Sequence, residues 1–487
     1  MRLKTTPEDF RVTELLKWQD VPDGDFIVHR LHKEKLSTPE ALSMLCRDAN
    51  VDRAAVAYAG LKDRQAVTEQ FITIERRAIE IKHQNLRVTP CGTTDKPITS
   101  KQSDGNRFAI VVRDLRPTEA AQLRRSVPSL VKTGYPNYFD DQRFGSLRHG
   151  QGFPMKSVLH GDFERALQQL VAEPSPVAIT GDVKLKQTLQ YRWGDWEACG
   201  RIARGPVYEP MFRHLMQRPR DFRGALQYVP LRLRVIHSFA FQSFLWNRAL
   251  SGMLRAGVRG AQRLRIATIA GDMLAWKYLS PEREEKLTNM RTPLFAVDGD
   301  GGSEAFRRAM IEELRNSELR RSDFVEHEVP GMIWKEEQRD ALVKPRDVEE
   351  VRISPDEMHE GHVKATVQFS LPRGAYATML IKRLFAPSYY SRGPQYGGRH
   401  DGGGGHGGGG YGGGGGYGRG GGDRSGYGGG SGAGDQEMER EERYQAARSR
   451  KPRRNQSGSD LSTRSVGRYR SDEESRGSAG GGRGRDY

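Results

Sequence analysis

The sequence changes character near Pro387, and this change limits how much of the chain can fold. Residues 387–487 hold 33 of the 57 glycines and almost no branched aliphatic residues. Such a segment cannot bury enough apolar surface to offset the entropy lost on ordering. We therefore expect a disordered Gly/Arg-rich tail over 387–487. Residues 1–386 remain, which are enough for one or two hydrophobic cores.

The expected tail has two possible roles. Tyrosines and arginines are scattered among glycines over residues 396–434, and a mixed-charge segment rich in Arg, Ser and Glu follows. Arginine and tyrosine on a flexible backbone can stack on bases and contact phosphates, so the tail would add non-specific RNA contacts. An inert solubilising linker would have the same composition, and both interpretations stay open.

The charge balance indicates a polyanionic partner for the folded part. The formal net charge is +16. The tail has 17 Lys/Arg against 12 Asp/Glu, or +5, which leaves 61 against 50, or +11, in residues 1–386. Nucleic acid is the commonest partner of such a surface, because bound cations release the counterions of the phosphates. A basic protein without any nucleic-acid role is the alternative.

Several site classes and locations are disfavoured by the composition. The three cysteines, Cys46, Cys91 and Cys199, are far apart, which argues against a disulfide framework and a cysteine-based zinc site. The segment 298–302 resembles the start of a calcium loop, but Ala309 stands where the bidentate glutamate should be. We predict no metal. Without a signal peptide or a run of about 18 apolar residues, we expect no membrane partner and a cytoplasmic location.

The pattern of residues predicts an α+β fold. Residues 37–42 have a capping serine and an early proline, which is typical of a helix start, and a second helix is predicted over 118–127. From 150 to 345 the sequence is mainly helical, with a buried helix over 237–254 and a capping Asp162. A sheet domain interrupted by a helix-rich insertion is expected. Runs rich in β-branched and aromatic residues predict strands at 26–31, 71–74, 108–113 and 363–370.

One charged loop stands out as a site for chemistry. An apolar run over 54–58, predicted to be a strand, is followed by Gly60-Leu61-Lys62-Asp63-Arg64. A glycine at a strand end allows a sharp turn that presents Asp63 on a loop. The flanking cations Lys62 and Arg64 would keep its carboxylate ionised, as a nucleophile or a base requires. An aspartate in an ordinary surface turn is the alternative.

Five segments in order resemble the TruD family of tRNA pseudouridine synthases. Any one of them alone would be weak evidence, whereas the ordered set covers residues 2–386. The segments are Pro7-Glu8-Asp9-Phe10, the loop from Gly60 to Arg64 with Ala66-Val67-Thr68-Glu69-Gln70, Asn137-Tyr138-Phe139 with Gln142-Arg143-Phe144-Gly145, the helix from His237 to Leu250, and Leu371-Pro372-Arg373-Gly374-Ala375-Tyr376-Ala377-Thr378.

The resemblance implies a fold and a reaction. It implies a pseudouridine-synthase catalytic sheet domain over 1–149 and 346–386, interrupted by a TRUD insertion domain over 150–345. It also implies that the N-glycosidic bond of a uridine is cleaved and the freed uracil rejoined through carbon, without cofactor or metal. The implied substrate is tRNA, with the target uridine at position 13 in the D-arm.

The resemblance also implies roles for six residues. Asp63 matches the catalytic aspartate, which would attack the anomeric carbon of the sugar or remove a neighbouring sugar proton. Lys4 matches the basic residue that pairs with this aspartate. The target nucleotide would be bound by Phe10, Asn137, Phe139 and Tyr376. Of these four side chains, Asn137 can read the uracil edge and Phe139 can stack on the base.

Two other functions remain compatible with the sequence. A non-catalytic RNA-binding or RNA-chaperone protein could keep the fold and act through its basic surface and tail. The intact Lys62-Asp63-Arg64 loop argues against that alternative, because a protein without activity need not keep it. A synthase that also acts on other RNAs is the second alternative.

Overall fold

The structure, a computed structural model, describes residues 1–148, 150–174 and 180–388. The expected tail therefore lies almost entirely outside the described residues. The described part contains fifteen β-strands and fourteen α-helices, with short 3₁₀ turns between them.

The strands are β1 (Phe10–Leu16), β2 (Phe26–Glu34), β3 (Val56–Tyr58), β4 (Val67–Glu75), β5 (Ile81–Lys82), β6 (Leu86–Thr94), β7 (Ser103–Leu115), β8 (Tyr135–Pro136), β9 (Arg263–Thr268), β10 (Gly271–Trp276), β11 (Arg291–Pro293), β12 (Gln338–Asp340), β13 (Leu342–Val343), β14 (Arg352–Pro355) and β15 (Val363–Leu371). The helices are α1 (Thr38–Ala49), α2 (Pro117–Thr133), α3 (Gly145–Arg148), α4 (Pro154–Leu159), α5 (Phe163–Val171), α6 (Thr180–Tyr191), α7 (Trp196–Ile202), α8 (Tyr208–Gln217), α9 (Phe222–Ala225), α10 (Leu231–Gly257), α11 (Pro281–Thr288), α12 (Glu304–Asn316), α13 (Asp323–Glu326) and α14 (Ala377–Leu384).

A nine-stranded sheet is built from the two ends of the described chain. Its order is β14-β15-β7-β1-β4-β2-β6-β5, and β3 pairs with β4 off this path. All its strands come from residues 10–115 and 352–371, so the segment between them interrupts the sheet in sequence. That segment supplies twelve of the fourteen described helices, α2 to α13, and three two-stranded pairings that involve β8 to β13.

Strand β4 determines where the loops of the sheet meet. Strand β1 pairs with it in parallel, through Val67–Glu69, whereas β3 pairs with the same edge further along, through Ile72–Ile74. Parallel neighbours begin at the same end of a sheet. The segment before β1 and the loop between β3 and β4 are therefore neighbours, and these two segments contain Lys4 and Asp63.

The hydrophobic core is continuous between the sheet and the helix-rich segment. One cluster of buried side chains includes Val12 and Ile110 of the sheet together with Trp246 and Phe306 of the intervening segment. A second, smaller cluster lies where α1 covers β2, β4 and β6. All described residues belong to one compact unit. The boundaries 150 and 345 of an insertion domain therefore stay a prediction.

Two local expectations differ from the structure. The helix predicted over 118–127 begins at Pro117 and continues through Pro128 to Thr133. Proline removes one helical hydrogen bond, but the turn beyond it buries Leu130 and Thr133, and this packing compensates. The strand predicted over 54–58 is shorter, because Arg53–Ala55 forms a 3₁₀ turn capped by Asp52.

The predicted α+β class is confirmed, and so are the strands and helices predicted elsewhere, although several are longer than expected. The helix expected over 237–254 is α10, which begins at Leu231 and ends at Gly257. Asp162 caps α5 through the amide of Arg165.

Within residues 1–148, 150–174 and 180–388, no helix is both long and apolar enough to cross a membrane.

Candidate active site

An ion pair joins the two neighbouring loops. The Nζ atom of Lys4 lies 2.7 Å from Oδ2 of Asp63, and their side chains are 25% and 28% exposed. The same ammonium group lies 4.1 Å from the ring centroid of Phe10, the first residue of β1. The structure therefore brings together three residues that the sequence analysis assigned to the site.

Lys4 has a left-handed backbone, with φ of 57°. A non-glycine residue in this region costs on the order of 1–3 kcal/mol and persists only where its surroundings enforce it. The surroundings are visible here: Thr6 donates its backbone N–H to Asp9, whose carboxylate accepts two bonds of 2.9 Å from Nε of the buried Arg113. The segment that presents Lys4 is thereby fixed to β7.

The carboxylate of Asp63 is ionised at neutral pH. Burial, the largest single influence, would raise its pKa, but it is outweighed by the charge and hydrogen bond of Lys4 together with smaller contributions from Lys33 and Gln142. The pKa of Asp63 is therefore held below its usual value. This ionised state is what either a nucleophile or a base requires.

The cations adjacent to Asp63 in sequence do not produce this effect, contrary to our expectation. Nζ of Lys62 lies 2.6 Å from Oε1 of Glu14, and the two side chains are 7% and 0% exposed. Arg64 pairs with Glu40 at 3.3 Å. Neighbours of a residue in an extended loop point away from it, so both cations fix the loop to surrounding elements instead of facing Asp63.

The backbone of the loop is held as firmly as its side chains. The buried Lys33 donates to the carbonyl oxygens of Lys62 and Asp63 at 3.3 and 2.8 Å. The amide of Lys62 donates to Oγ1 of Thr38, the first residue of α1, at 3.0 Å. By contrast, Gly60 has neither a left-handed φ nor any atom close to where a Cβ would lie, so neither its backbone nor its surroundings require glycine at this position.

Three aromatic side chains, Phe139, Trp246 and Tyr376, form a cluster near the carboxylate, which we call the aromatic pocket. Phe139 is 8% exposed, and the rings of Trp246 and Tyr376 meet it edge-on at 5.7 and 6.2 Å. Asp63 is close enough to Tyr376 to act on its phenol electrostatically, and burial is the largest cause that raises the Tyr376 pKa. Gln142 also helps to lower the pKa of Asp63, so the segment 139–143 lies near both the aromatic pocket and the carboxylate.

Phe10 lies beneath the ion pair, apart from this pocket. It is buried against Phe108 of β7, with the two ring centroids 6.1 Å apart. Its contact with the ammonium of Lys4 makes it a support for that residue.

Asn137 is engaged within the protein. Its Oδ1 accepts a bond of 2.8 Å from Nη2 of Arg339, and its Nδ2 donates to the carbonyl of Asp340 at 3.1 Å. Each amide atom keeps one further hydrogen-bonding position. The structure therefore shows Asn137 as the partner of Arg339, and its predicted reading of a uracil edge remains a prediction.

Sequence reasoning missed Arg339. This residue of β12 lies with its guanidinium carbon 4.0 Å from the centroid of Phe139 and also donates to the carbonyl of Gly374 at 3.0 Å. Gly374 has φ of 83°, a left-handed conformation that glycine adopts without strain. A single arginine in a charged stretch gives no spacing signal that could have identified it.

Asn247 was missed as well, although a signal existed. Its amide brackets the backbone of Phe139, accepting from N at 2.9 Å and donating to O at 2.8 Å. Buried polar residues recur along one face of α10, at Ser243, Asn247 and Ser251. Such a spacing of four within an apolar helix indicates a polar stripe with partners elsewhere in the fold.

A charge cluster joins the two segments that carry Phe139 and Tyr376. Nζ of Lys382 on α14 lies 2.5 Å from Asp140 and 2.7 Å from Asp141, and Thr378 also donates to Asp140. These bonds join the segment after Phe139 to the helix that follows Tyr376. In the part of the chain that the structure describes, no group of three or more His, Cys, Asp or Glu side chains could hold a metal ion.

Comparison with known proteins gives one consistent result. The sequence profile of the family tRNA pseudouridine synthase D (TruD) matches residues 1–384. A Methanococcus maripaludis protein named "Probable tRNA pseudouridine synthase D 1" is 29% identical over 391 residues, which span 79% of this chain and 99% of the relative. The tRNA pseudouridine synthase D of Aquifex aeolicus is 26% identical over 393 residues, 79% of this chain and 98% of its own.

A crystal structure shows the same fold. It is described as a TruD protein from Methanosarcina mazei, and it superimposes with a TM-score of 0.62 at 24% identity, covering 79% of this chain and 93% of that one. The family profile and the named relatives confirm the predicted resemblance and the predicted enzyme class, a pseudouridine synthase. The chain belongs to the tRNA pseudouridine synthase D (TruD) family.

Proposed function

We propose that this protein isomerises a uridine of tRNA to pseudouridine, that the target is position 13 in the D-arm, and that Asp63 is the catalytic carboxylate. The observation that supports the role of Asp63 is its ion pair with Lys4, on a loop fixed by buried bonds beside an aromatic pocket. We place this activity in the cytoplasm, where the composition predicts the protein to be.

The ion pair serves both routes that are open to Asp63. Attack of the carboxylate on C1′ of the ribose and removal of a proton from C2′ each require an ionised oxygen. Lys4 donates a hydrogen bond to Oδ2, so Oδ1 is the oxygen that would act on the sugar. Lys4 lowers the pKa of the carboxylate and also fixes its orientation.

The pocket supports binding of a flipped nucleotide. A base inside a folded tRNA is unreachable, so it must leave its stack. Aromatic contacts restore about 1–3 kcal/mol per base. Phe139 and Tyr376 offer such contacts next to Asp63. Asn137 would bind the uracil edge through the hydrogen-bonding positions that Arg339 and Asp340 leave open.

The proposal is tested with unmodified tRNA transcripts and the purified full-length protein. Pseudouridine is mapped by primer extension after carbodiimide treatment, and we expect one new signal, at position 13. A transcript with cytidine at that position is the control and should give none. A signal at other uridines of tRNA would overturn the assigned position. Signals in other RNAs alone, or none at all, would favour the two alternative functions.

Replacing Lys4 by methionine is expected to lower the rate about 10²-fold near neutral pH, because the carboxylate loses its fixed orientation. Without Lys4, burial dominates and the pKa of Asp63 rises. The acid limb of the pH–rate profile should therefore move to higher pH. Lys17→Met, which breaks an exposed pair with Asp104, is the matched control. An acid limb that stays in place would remove Lys4 from the site.

Deletion of residues 388–487 is expected to weaken tRNA binding and leave the rate at saturating tRNA nearly unchanged. The lost contacts are charges to phosphates, so the slope of log affinity against log salt should become shallower. Affinity is measured across a salt series for the full-length and shortened proteins. Identical affinities throughout the series would identify the tail as a linker.

A further inference from the structure

Two arginines contact the pocket without a carboxylate partner. The guanidinium carbon of Arg339 lies 4.0 Å from the centroid of Phe139, and that of Arg143 lies 5.6 Å from it. Within residues 1–148, 150–174 and 180–388, neither forms an ion pair. By contrast, the half-buried Lys382 pairs with two aspartates, Asp140 and Asp141. Half-buried cations are costly unless an anion compensates them, so this pair indicates an anionic ligand.

The donors of the two arginines are only partly used. Nε and Nη2 of Arg339 donate to Asn137 and Gly374, whereas its Nη1 makes no hydrogen bond in the described part of the chain. Among the same described residues, Arg143 donates through Nε alone, in a bond of 3.1 Å to Ser243. Burial is the main cause that lowers the pKa of Arg339, to about 10, which still leaves it charged at neutral pH. Both can therefore donate to a bound anion.

The reaction itself generates an anion at this place. When the C1′–N1 bond of uridine breaks, its electron pair stays on N1 and spreads to O2 and O4, so the detached uracil carries one negative charge. Those electrons then form the C5–C1′ bond, C5 releases its proton, and N1 takes one up. No oxidant or reductant is needed. Between the two steps the uracil anion must be retained and turned.

We propose that Arg339, with Arg143, binds the negative charge of the detached uracil while the base lies against Phe139. This inference rests on the proposed function and adds two residues to the reaction. Fixed cations directed at developing charge in a water-poor site stabilise the transition state without reorganising. A phosphate of the flipped nucleotide is the other source of negative charge, and the two sources predict different kinetics.

The test compares Arg339→Met, Arg339→Gln and Arg339→Lys with the wild-type protein in single-turnover reactions on tRNA. Loss of the charge should lower the rate at saturating tRNA by about 10²- to 10³-fold in the methionine and glutamine variants. The lysine variant should keep more activity than the glutamine variant, because charge matters more than hydrogen bonding. The affinity for tRNA and its salt dependence should not change.

Two controls accompany this series. Arg291→Met removes an exposed arginine of β11, the strand that pairs with β12, and should retain the wild-type rate. Arg143→Met breaks one bond to Ser243 and should show the same pattern as Arg339→Met, with a smaller loss of rate. This variant replaces Arg339→Met in the test if Arg339→Met does not fold.

Three results would overturn the inference while the proposed function stands. A wild-type rate in Arg339→Met shows that no charge is bound there. Weaker tRNA binding, with a salt slope reduced by about 0.7–0.9, identifies a phosphate contact instead. A glutamine variant as active as the lysine variant shows that Arg339 only positions Asn137 and Gly374. A wild-type protein that makes no pseudouridine would instead sink the proposed function.

Discussion

Replacing Asp63 by asparagine is expected to lower pseudouridine formation by at least about 10³-fold. A neutral amide can neither attack C1′ nor accept the C2′ proton, whereas either step needs the ionised carboxylate. The substitution keeps the shape of the side chain. The loop should remain in place, because Lys33 and Thr38 hold its backbone independently of the Asp63 side chain. Rates are measured in single turnover with tRNA in excess of its dissociation constant.

The matched control is Asp25→Asn. Asp25 also pairs with a cation, Arg76, but both side chains are exposed and lie at the opposite end of β4 from Asp63. This variant should keep the wild-type rate. Thermal midpoints and tRNA affinities of both variants should match those of the wild type. An Asp63→Asn protein with more than about a tenth of the wild-type rate is incompatible with Asp63 as nucleophile or base.

Replacing Lys62 by methionine is expected to destabilise the protein by about 3–5 kcal/mol, since it leaves the fully buried carboxylate of Glu14 without its cation. Within the described part of the chain, Glu14 then keeps only the backbone N–H of Phe71 as a donor. The loop should shift and the rate should fall, but the acid limb of the pH–rate profile should stay in place, because Lys62 is not among the causes of the low Asp63 pKa. Stability is measured by denaturant unfolding.

A double variant separates the buried pair from a general loss of packing. Lys62→Met combined with Glu14→Gln removes both charges, so it should be more stable than Lys62→Met alone. Lys17→Met, at an exposed pair, should cost less than about 1 kcal/mol. If Lys62→Met moves the acid limb as Lys4→Met does, then Lys62 faces Asp63 in solution and the geometry described above is wrong.

The Asp63 loop shows what sequence can and cannot predict. The position of the loop after an apolar strand follows from local pattern, and the ordered motifs identified Lys4 as its partner. The directions of Lys62 and Arg64 do not follow from adjacency, because they depend on Glu14 and Glu40 in distant elements. The burial of Lys33 does not follow from the sequence for the same reason, because its partners include the carbonyl oxygens of Lys62 and Asp63.

Residues of the intervening segment were the hardest to predict. Arg339 reaches the pocket only because a short strand, β12, follows a long helical region and returns towards Asn137 and Gly374. No local pattern encodes that return. Asn247 could have been predicted from the sequence, since a stripe of polar residues is unexpected on a buried helix that is otherwise apolar. The joint core of sheet and helices is likewise a tertiary property that periodicity does not reveal.

The most direct test restores the gene to cells that lack it, with Asp63 intact or replaced by asparagine, and maps pseudouridine in their tRNA. We expect the signal at position 13 to disappear without the protein, to return with the wild type and not to return with Asp63→Asn at equal protein levels. A signal that returns equally with both proteins, or one that never depended on the gene, would contradict this expectation.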